Sequence, residues 1–325
     1  MEKDLRGERL SYRVPPAEDG FTIQNLLRTR LGLSRGLVRR LKAHGQISVN
    51  GIPARTCDRV VAGDEVDLIL WASRPSGVTP EPARLEVVAE DGDILVVNKP
   101  AGMVSHPVRN HVSGTLANAV AHYLLVQGHQ APVRLVSRLD KNTSGLVLVA
   151  RNSYAHQNLN RQMEHRRIEK KYLAVVHNAV QPAEGVIDTP ICRVPGHPVK
   201  RTAATEPGQA GKPATTHYRV LKHWDKVATL LELSLATGRT HQIRVHLSHI
   251  GHPLVGDDLY GANSTKSPHA LTHSLSGTID TLIDRQALHA CSLAFDHPRT
   301  GIRLHFTAEL PEDMRKLIAH LDHTV

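Results

Sequence analysis

Cysteine is scarce in this chain of 325 residues: Cys57, Cys192 and Cys291 lie far apart and form no C-x-x-C pair. That excludes a disulfide framework and a thiolate metal site, and it predicts a reducing compartment, the cytoplasm by default. Aromatic residues are also rare, with two Trp, six Tyr and three Phe, so few side chains could stack on a planar ligand. No apolar run approaches the roughly 20 residues a membrane helix requires. Neither G-x-G-x-x-G nor G-x-x-x-x-G-K-[ST] occurs, which argues against nucleotide cofactors. The charged start Met1-Glu2-Lys3-Asp4 lacks the apolar segment of a secretory signal.

Positive charge and histidine are plentiful. Forty Lys and Arg against 31 Asp and Glu give a net charge of +9, which favours an anionic partner, usually a nucleic acid. Among the 22 histidines, His241, His246, His249 and His252 cluster in sequence. His246 and His249 could share a helix face, yet no H-E-x-x-H spacing or cysteine accompanies them. The expectation is polar helix residues and no metal site.

The length suits two domains. Residues 1–20 read as an extended, loosely ordered extension. Residues 21–71 read as a small α/β domain. Its first helix follows Thr22, and its second, capped by Ser34, runs from Arg35 to about His44. On that second helix Leu37, Val38 and Leu41 form one stripe, with Arg35, Arg39 and Lys42 opposite. Asn50-Gly51 signals a hairpin. Residues 72–84, rich in proline, read as a linker. Residues 85–325 then show short strands at 85–89, 94–98, 133–139, 145–151, 171–177, 217–223, 228–236 and 302–307. Helical patterns lie near 114–126, 153–165, 240–250 and 311–322. The fold class is α+β, a mixed, largely antiparallel sheet with flanking helices, because hairpin-length connections outnumber helical crossovers. Intervals 194–213 and 262–284 read as insertions or mobile loops.

One stretch organises this larger unit. Ser137-Arg138-Leu139-Asp140-Lys141-Asn142-Thr143-Ser144-Gly145 reads as a strand end and a tight turn, and Leu146 to Ala150 as a buried strand. Asp140 is a lone carboxylate where a core strand meets a loop. By local pattern it suits an Asx turn as well as it suits chemistry.

The run R-L-D-x-x-T-S-G-L here resembles the signature of the RluA-type RNA pseudouridine synthases. So do Leu95 to Met103 with Ser105-His106-Pro107, Gly114 to Ala119, Lys170 to Val175, Gly238 to His246 with Gly251 to Asp257, and Leu288-His289-Ala290 with Phe295 to Pro298. These ordered blocks span about residues 85–312. The resemblance implies a pseudouridine synthase fold and cofactor-free isomerisation of uridine within a structured rRNA or tRNA. It implies Asp140 as nucleophile or base towards the sugar. It also implies Tyr172 as the residue that stacks on the base and helps move a proton, and Arg244 as the guanidinium that holds the carboxylate. Arg138 matches a residue that fills the space left by a flipped uridine. The family's usual histidine before that arginine is Ser137 here, which bears on RNA contacts more than on Asp140.

Residues 20–71 resemble the RNA-binding module first described in a small-subunit ribosomal protein. That resemblance implies phosphate contacts from Arg35, Arg39 and Lys42, which would supply affinity more than base reading. The expected partner is RNA, with no membrane, and the expected state is a monomer. Two other readings stay open at this point. One is a non-catalytic RNA-binding protein on the same fold, and the other is a histidine-based metal hydrolase. Convergence of Asp140, Tyr172 and Arg244 in one cleft would separate them.

Overall fold

The computed structural model describes residues 9–70, 77–108, 111–129, 132–206, 208–261 and 279–324. Its N-terminal module has a four-stranded sheet in the order β1 (Arg9–Arg13), β4 (Glu65–Ile69), β2 (Ile47–Val49), β3 (Ile52–Pro53). Two helices, α1 (Ile23–Thr29) and α2 (Arg35–Ala43), cover it, with Thr22 and Ser34 as their caps. Asn50 and Gly51 both take positive φ, which a two-residue hairpin turn demands. The N-terminal extension is thus partly ordered: Arg9 to Arg13 pair with Ile69 to Glu65 as an edge strand.

The second unit is built on a ten-stranded sheet. Its main path runs β10 (Glu184–Asp188), β13 (Thr215–Trp224), β14 (Ala228–Leu235), β9 (Glu169–His177), β15 (Leu288–Asp296), β8 (Ser144–Ala150), β6 (Ile94–Lys99), β5 (Glu86–Glu90). β16 (Arg303–Thr307) joins β15, and β7 (Arg134–Leu135) joins β8. Every pairing is antiparallel except β15 with β8.

The unbroken apolar run of β8 has a simple cause: both of its faces are covered. Val147 and Val149 pack under α3 (Leu116–Val126), whereas Leu146, Leu148 and Ala150 pack under α4 (Ser153–Glu164). All seven residues of β8 are buried, and removing such a side chain from water is worth about 1.5–3 kcal/mol.

Several local expectations change. The strand expected over 133–139 shrinks to β7, because Ser137 leaves the ladder to accept a bond from Leu148 N (3.1 Å) through its hydroxyl. β15, a central strand, was absent from the pattern reading. The interval 194–213 is no bare loop: β11 (Ile191–Arg193) and β12 (Arg201–Ala203) form a hairpin that packs with Val245 and Tyr260. Most of 262–284 lies outside the described residues. So does the first half of the linker, while its second half is docked. Val78 is buried against Ala117 and Ala121, and Asn118 Nδ2 donates to Thr79 O (2.8 Å).

The two units are in direct contact. Tyr154 of α4 joins the core of the module. Gln157 accepts from Ser34 N (2.7 Å) and donates to Gly32 O (2.7 Å), and Arg161 also donates to Gly32 O. Arg299 reaches across to Arg9 O (2.8 Å). Among the described residues no helix is long and apolar enough to cross a membrane.

Candidate active site

Asp140 sits in the turn that feeds β8, and almost every residue of that turn is tied down. Ser105 Oγ donates to Leu139 O (2.6 Å) and accepts from Leu139 N (3.1 Å). Lys99 Nζ donates to Lys141 O (3.1 Å), Pro100 O (2.8 Å) and Met103 O (2.9 Å). Arg285 Nη1 donates to Asn142 O (3.1 Å), and Gln286 Nε2 to Thr143 Oγ1 (3.2 Å). Ser144 Oγ meets His289 Nδ1 at 2.9 Å. Gly145, at φ 115°, lies flat against β15, where a Cβ would stand 2.3 Å from Ala290 O. Only glycine permits that approach. The carboxylate of Asp140 is thereby presented by a turn with little freedom to move, its side chain 26% exposed.

Lys99 is the most informative residue that sequence reasoning passed over. It is fully buried, and its three N–H donors satisfy three carbonyls. Burial pushes its ammonium down to about 7, while the charge of Asp140 pulls the other way. Replacing Lys99 with Met would leave those carbonyls unsatisfied, at roughly 1–3 kcal/mol for each. A loss of at least about 3 kcal/mol in urea unfolding is expected, and an unchanged midpoint would refute this role.

Arg244 comes from α5 (Gln242–His249), whose first turn is anchored by Gln242 to Thr215 O and Thr216 Oγ1. The resemblance implies that its guanidinium holds Asp140 directly. Instead the fork is taken by Asp257, through Nε and Nη2 at 2.7 Å each, and the Nη1 nitrogen lies 4.0 Å from Asp140 Oδ2. Two residues after Arg239, His241 starts α5 in a left-handed conformation. The ring of Tyr260 lies beneath Arg244, with 5.0 Å from Cζ to the centroid, and its hydroxyl bonds to His241 Nδ1 and Arg201 N. Burial alone would lower the pKa of Arg244, but the Asp257 bonds and the charges of Asp257 and Asp140 more than offset that and raise it. The cation is therefore permanent. It is aimed by Asp257 and Tyr260, with one N–H pair left for the space beside Asp140.

Tyr172 lies on β9, opposite Leu233 of β14. Tyr172 is only 5% exposed, so a base can lie against it only by displacing part of its cover. Burial raises the pKa of its hydroxyl far above the ordinary tyrosine value, and the nearby charges of Asp140 and Cys291 add to this. The phenol stays protonated, available to donate or relay a proton. Arg138 is exposed beside the turn. Arg35, Arg39 and Lys42 are all exposed on α2, well away from Asp140 in the chain and on the other unit.

Histidine-based metal chemistry finds little room here. Both ring nitrogens of His246 are engaged, by Thr216 Oγ1 and Thr189 O. His252 Nδ1 meets His177 O, and His241 Nδ1 meets Tyr260. The grouping of Asp91, Asp93 and His297 is taken up internally, since Arg299 forks onto Asp93 and His297 Nε2 bonds to Asp91.

The fold is that of a pseudouridine synthase. Two human proteins have similar folds. RNA pseudouridylate synthase domain containing 4 gives a TM-score of 0.58 at 25% identity, over 73% of this chain and 93% of that one. RNA pseudouridylate synthase domain containing 1 gives 0.54 at 27% identity, over 75% and 98%. The family profile for RNA pseudouridylate synthase matches residues 93–249. An uncharacterised RNA pseudouridine synthase of Bacillus subtilis, YlyB, is 42% identical over 89% of both chains. Ribosomal large subunit pseudouridine synthase D of Escherichia coli K12 is 39% identical over 88% of this chain and 85% of its own length. The chain belongs to the RNA pseudouridylate synthase family, whose members isomerise uridine in RNA.

Proposed function

We propose that this protein converts particular uridines of large-subunit ribosomal RNA into pseudouridine, with Asp140 acting on the ribose. The observation that carries this reading is the meeting of Asp140, Arg244 and Tyr172, which come from a turn, a helix and a strand far apart in the chain. The reaction breaks N1–C1′, turns the uracil and joins C5 to C1′. A proton leaves C5 and one is gained at N1, so no redox step arises. An ionised carboxylate can attack C1′ or remove a ribose proton. Arg244 offers Nη1 to hold Asp140 or the released uracil in place, and Tyr172 supplies a protonated hydroxyl near the base. Arg138 would occupy the stack the uridine leaves.

Ribosomal RNA is chosen because one relative is named for the large ribosomal subunit. The reading includes action as a monomer and in the cytoplasm, a reducing compartment that three free cysteines suit. The test is pseudouridine mapping, by chemical labelling and primer extension, on large-subunit rRNA transcripts incubated with purified protein. Transcripts bound but left unmodified would favour a non-catalytic RNA-binding protein.

The N-terminal module, residues 9–70, is assigned to gripping the RNA backbone through Arg35, Arg39 and Lys42. Their joint replacement by Gln should make the slope of log K against log[salt] shallower by roughly 2–3 units, for three lost phosphate contacts. Equal slopes in filter binding would remove the module from the RNA interface.

A further inference from the structure

We infer that Asp313 and Arg285 are positioning residues for the uridine reaction: through these two side chains the C-terminal helix fixes the turn that presents Asp140. The inference rests on the role proposed for Asp140 above and deepens it.

The turn itself sets the requirement. Thr143 N donates to Asp140 O at 3.1 Å, which closes Asp140-Lys141-Asn142-Thr143 as a four-residue turn. The direction of the Asp140 carboxylate then depends on how the peptide groups of the two middle residues are held. Lys99 Nζ holds Lys141 O, and Arg285 Nη1 holds Asn142 O. Two consecutive carbonyls are thus fixed from two distant parts of the chain.

Arg285 is itself aimed. Its Nε and Nη2 donate to the two carboxylate oxygens of Asp313, at 2.6 and 2.9 Å. That fork leaves Nη1 facing Asn142 O, Gln286 O and Leu288 O, at 3.1, 3.1 and 3.2 Å. A planar guanidinium gripped along one edge has its remaining nitrogen fixed in direction. Burial disfavours the charge of Asp313, but the bonds and the charge of Arg285 more than offset that and hold its carboxyl below the usual range. Arg285 is buried, so water does not readily replace a lost partner, whereas Asp313 is half-buried at the rim.

Asp313 stands in the first turn of α6 (Glu312–Thr324). The apolar face of that helix, Met314, Leu317 and Leu321, packs in one cluster with Val175, Val255 and Ala287. These three follow Tyr172, precede Asp257 and follow Arg285 by two or three residues each. The helix therefore backs the segments that carry Tyr172, the partner of Arg244 and the brace of the turn. Its far end is pinned separately, by bonds from Lys222 and Trp224 to Asp322.

The test compares full-length wild type, Asp313→Asn, Arg285→Gln and Asp322→Asn. The last removes the same charge from the same helix, at the end away from the turn. Four quantities are read: the single-turnover rate at saturating large-subunit rRNA transcript, RNA affinity, amide hydrogen exchange over residues 139–145, and melting temperature. Misplacing a reacting group by about 1 Å can cost on the order of 10²-fold, so Arg285→Gln should lose about that much rate, and Asp313→Asn, which keeps Nη1, roughly tenfold. Both should exchange faster over the turn and keep wild-type RNA affinity. Asp322→Asn should lower the melting temperature and leave rate and exchange alone. Should Arg285→Gln fail to fold, Asp313→Asn decides. A wild-type rate or wild-type exchange in Asp313→Asn would overturn the inference. So would an equal loss of rate in Asp322→Asn, which would mean general destabilisation. Product from wild type with unchanged exchange in Asp313→Asn refutes the brace alone. No product from wild type, with faster exchange in that variant, refutes the enzymatic reading and keeps the brace on the turn.

Discussion

Asp140→Asn is expected to abolish pseudouridine formation, by roughly 10⁴-fold or more in single-turnover assays, the scale on which removal of an essential nucleophile is felt. The substitution keeps the size of the side chain and its ability to start an Asx turn. The bonds from Ser105, Lys99 and Arg285 to the backbone of the turn also do not depend on the carboxylate. Folding should therefore survive, and RNA affinity should stay within a few-fold. What disappears is the negative charge that faces Arg244 Nη1 at 4.0 Å and the electron pair that acts on the ribose. Substantial turnover by Asp140→Asn would remove Asp140 from the reaction whatever its position.

Tyr172→Phe is expected to lose about 10²–10⁴ of the rate, the range that positioned acid–base assistance supplies. RNA binding should be largely retained, because the ring remains. Its hydroxyl has no hydrogen-bond partner among the described residues, so the variant should unfold within about 1 kcal/mol of wild type. Loss of rate without loss of stability would then belong to the hydroxyl. Because the phenol titrates far above neutrality, the wild-type rate should show no loss from Tyr172 ionisation up to about pH 10. A Phe variant at wild-type speed would leave Tyr172 as packing and stacking only.

Much of the site was legible in the sequence because its chemistry lies in contiguous runs. The turn before β8 and the tyrosine strand announced Asp140 and Tyr172, and the helix after Gly238 announced Arg244. The amphipathic pattern of α2 placed Arg35, Arg39 and Lys42 on a solvent face, since local periodicity decides which side of a helix is wet. Other features were invisible because long-range contacts decide them. Lys99 ends an apolar strand and looks like a surface lysine, until the carbonyls of two separate loops close around it. β15 acquires its place between β8 and β9 only through pairing with residues more than a hundred positions away.

The sequence by itself determined the fold class, a mixed, largely antiparallel sheet with flanking helices, and it named Asp140, Tyr172 and Arg244 as the candidate side chains. Which partner each of them takes was decided by tertiary structure alone. Asp257, brought under α5 by the chain after Gly251, captures the fork of Arg244, because a buried guanidinium binds the carboxylate that is both nearest and most desolvated. Likewise the bonds of Gln157 to Gly32 and Ser34, and the entry of Tyr154 into the core of the module, join surfaces in a way that no local pattern encodes.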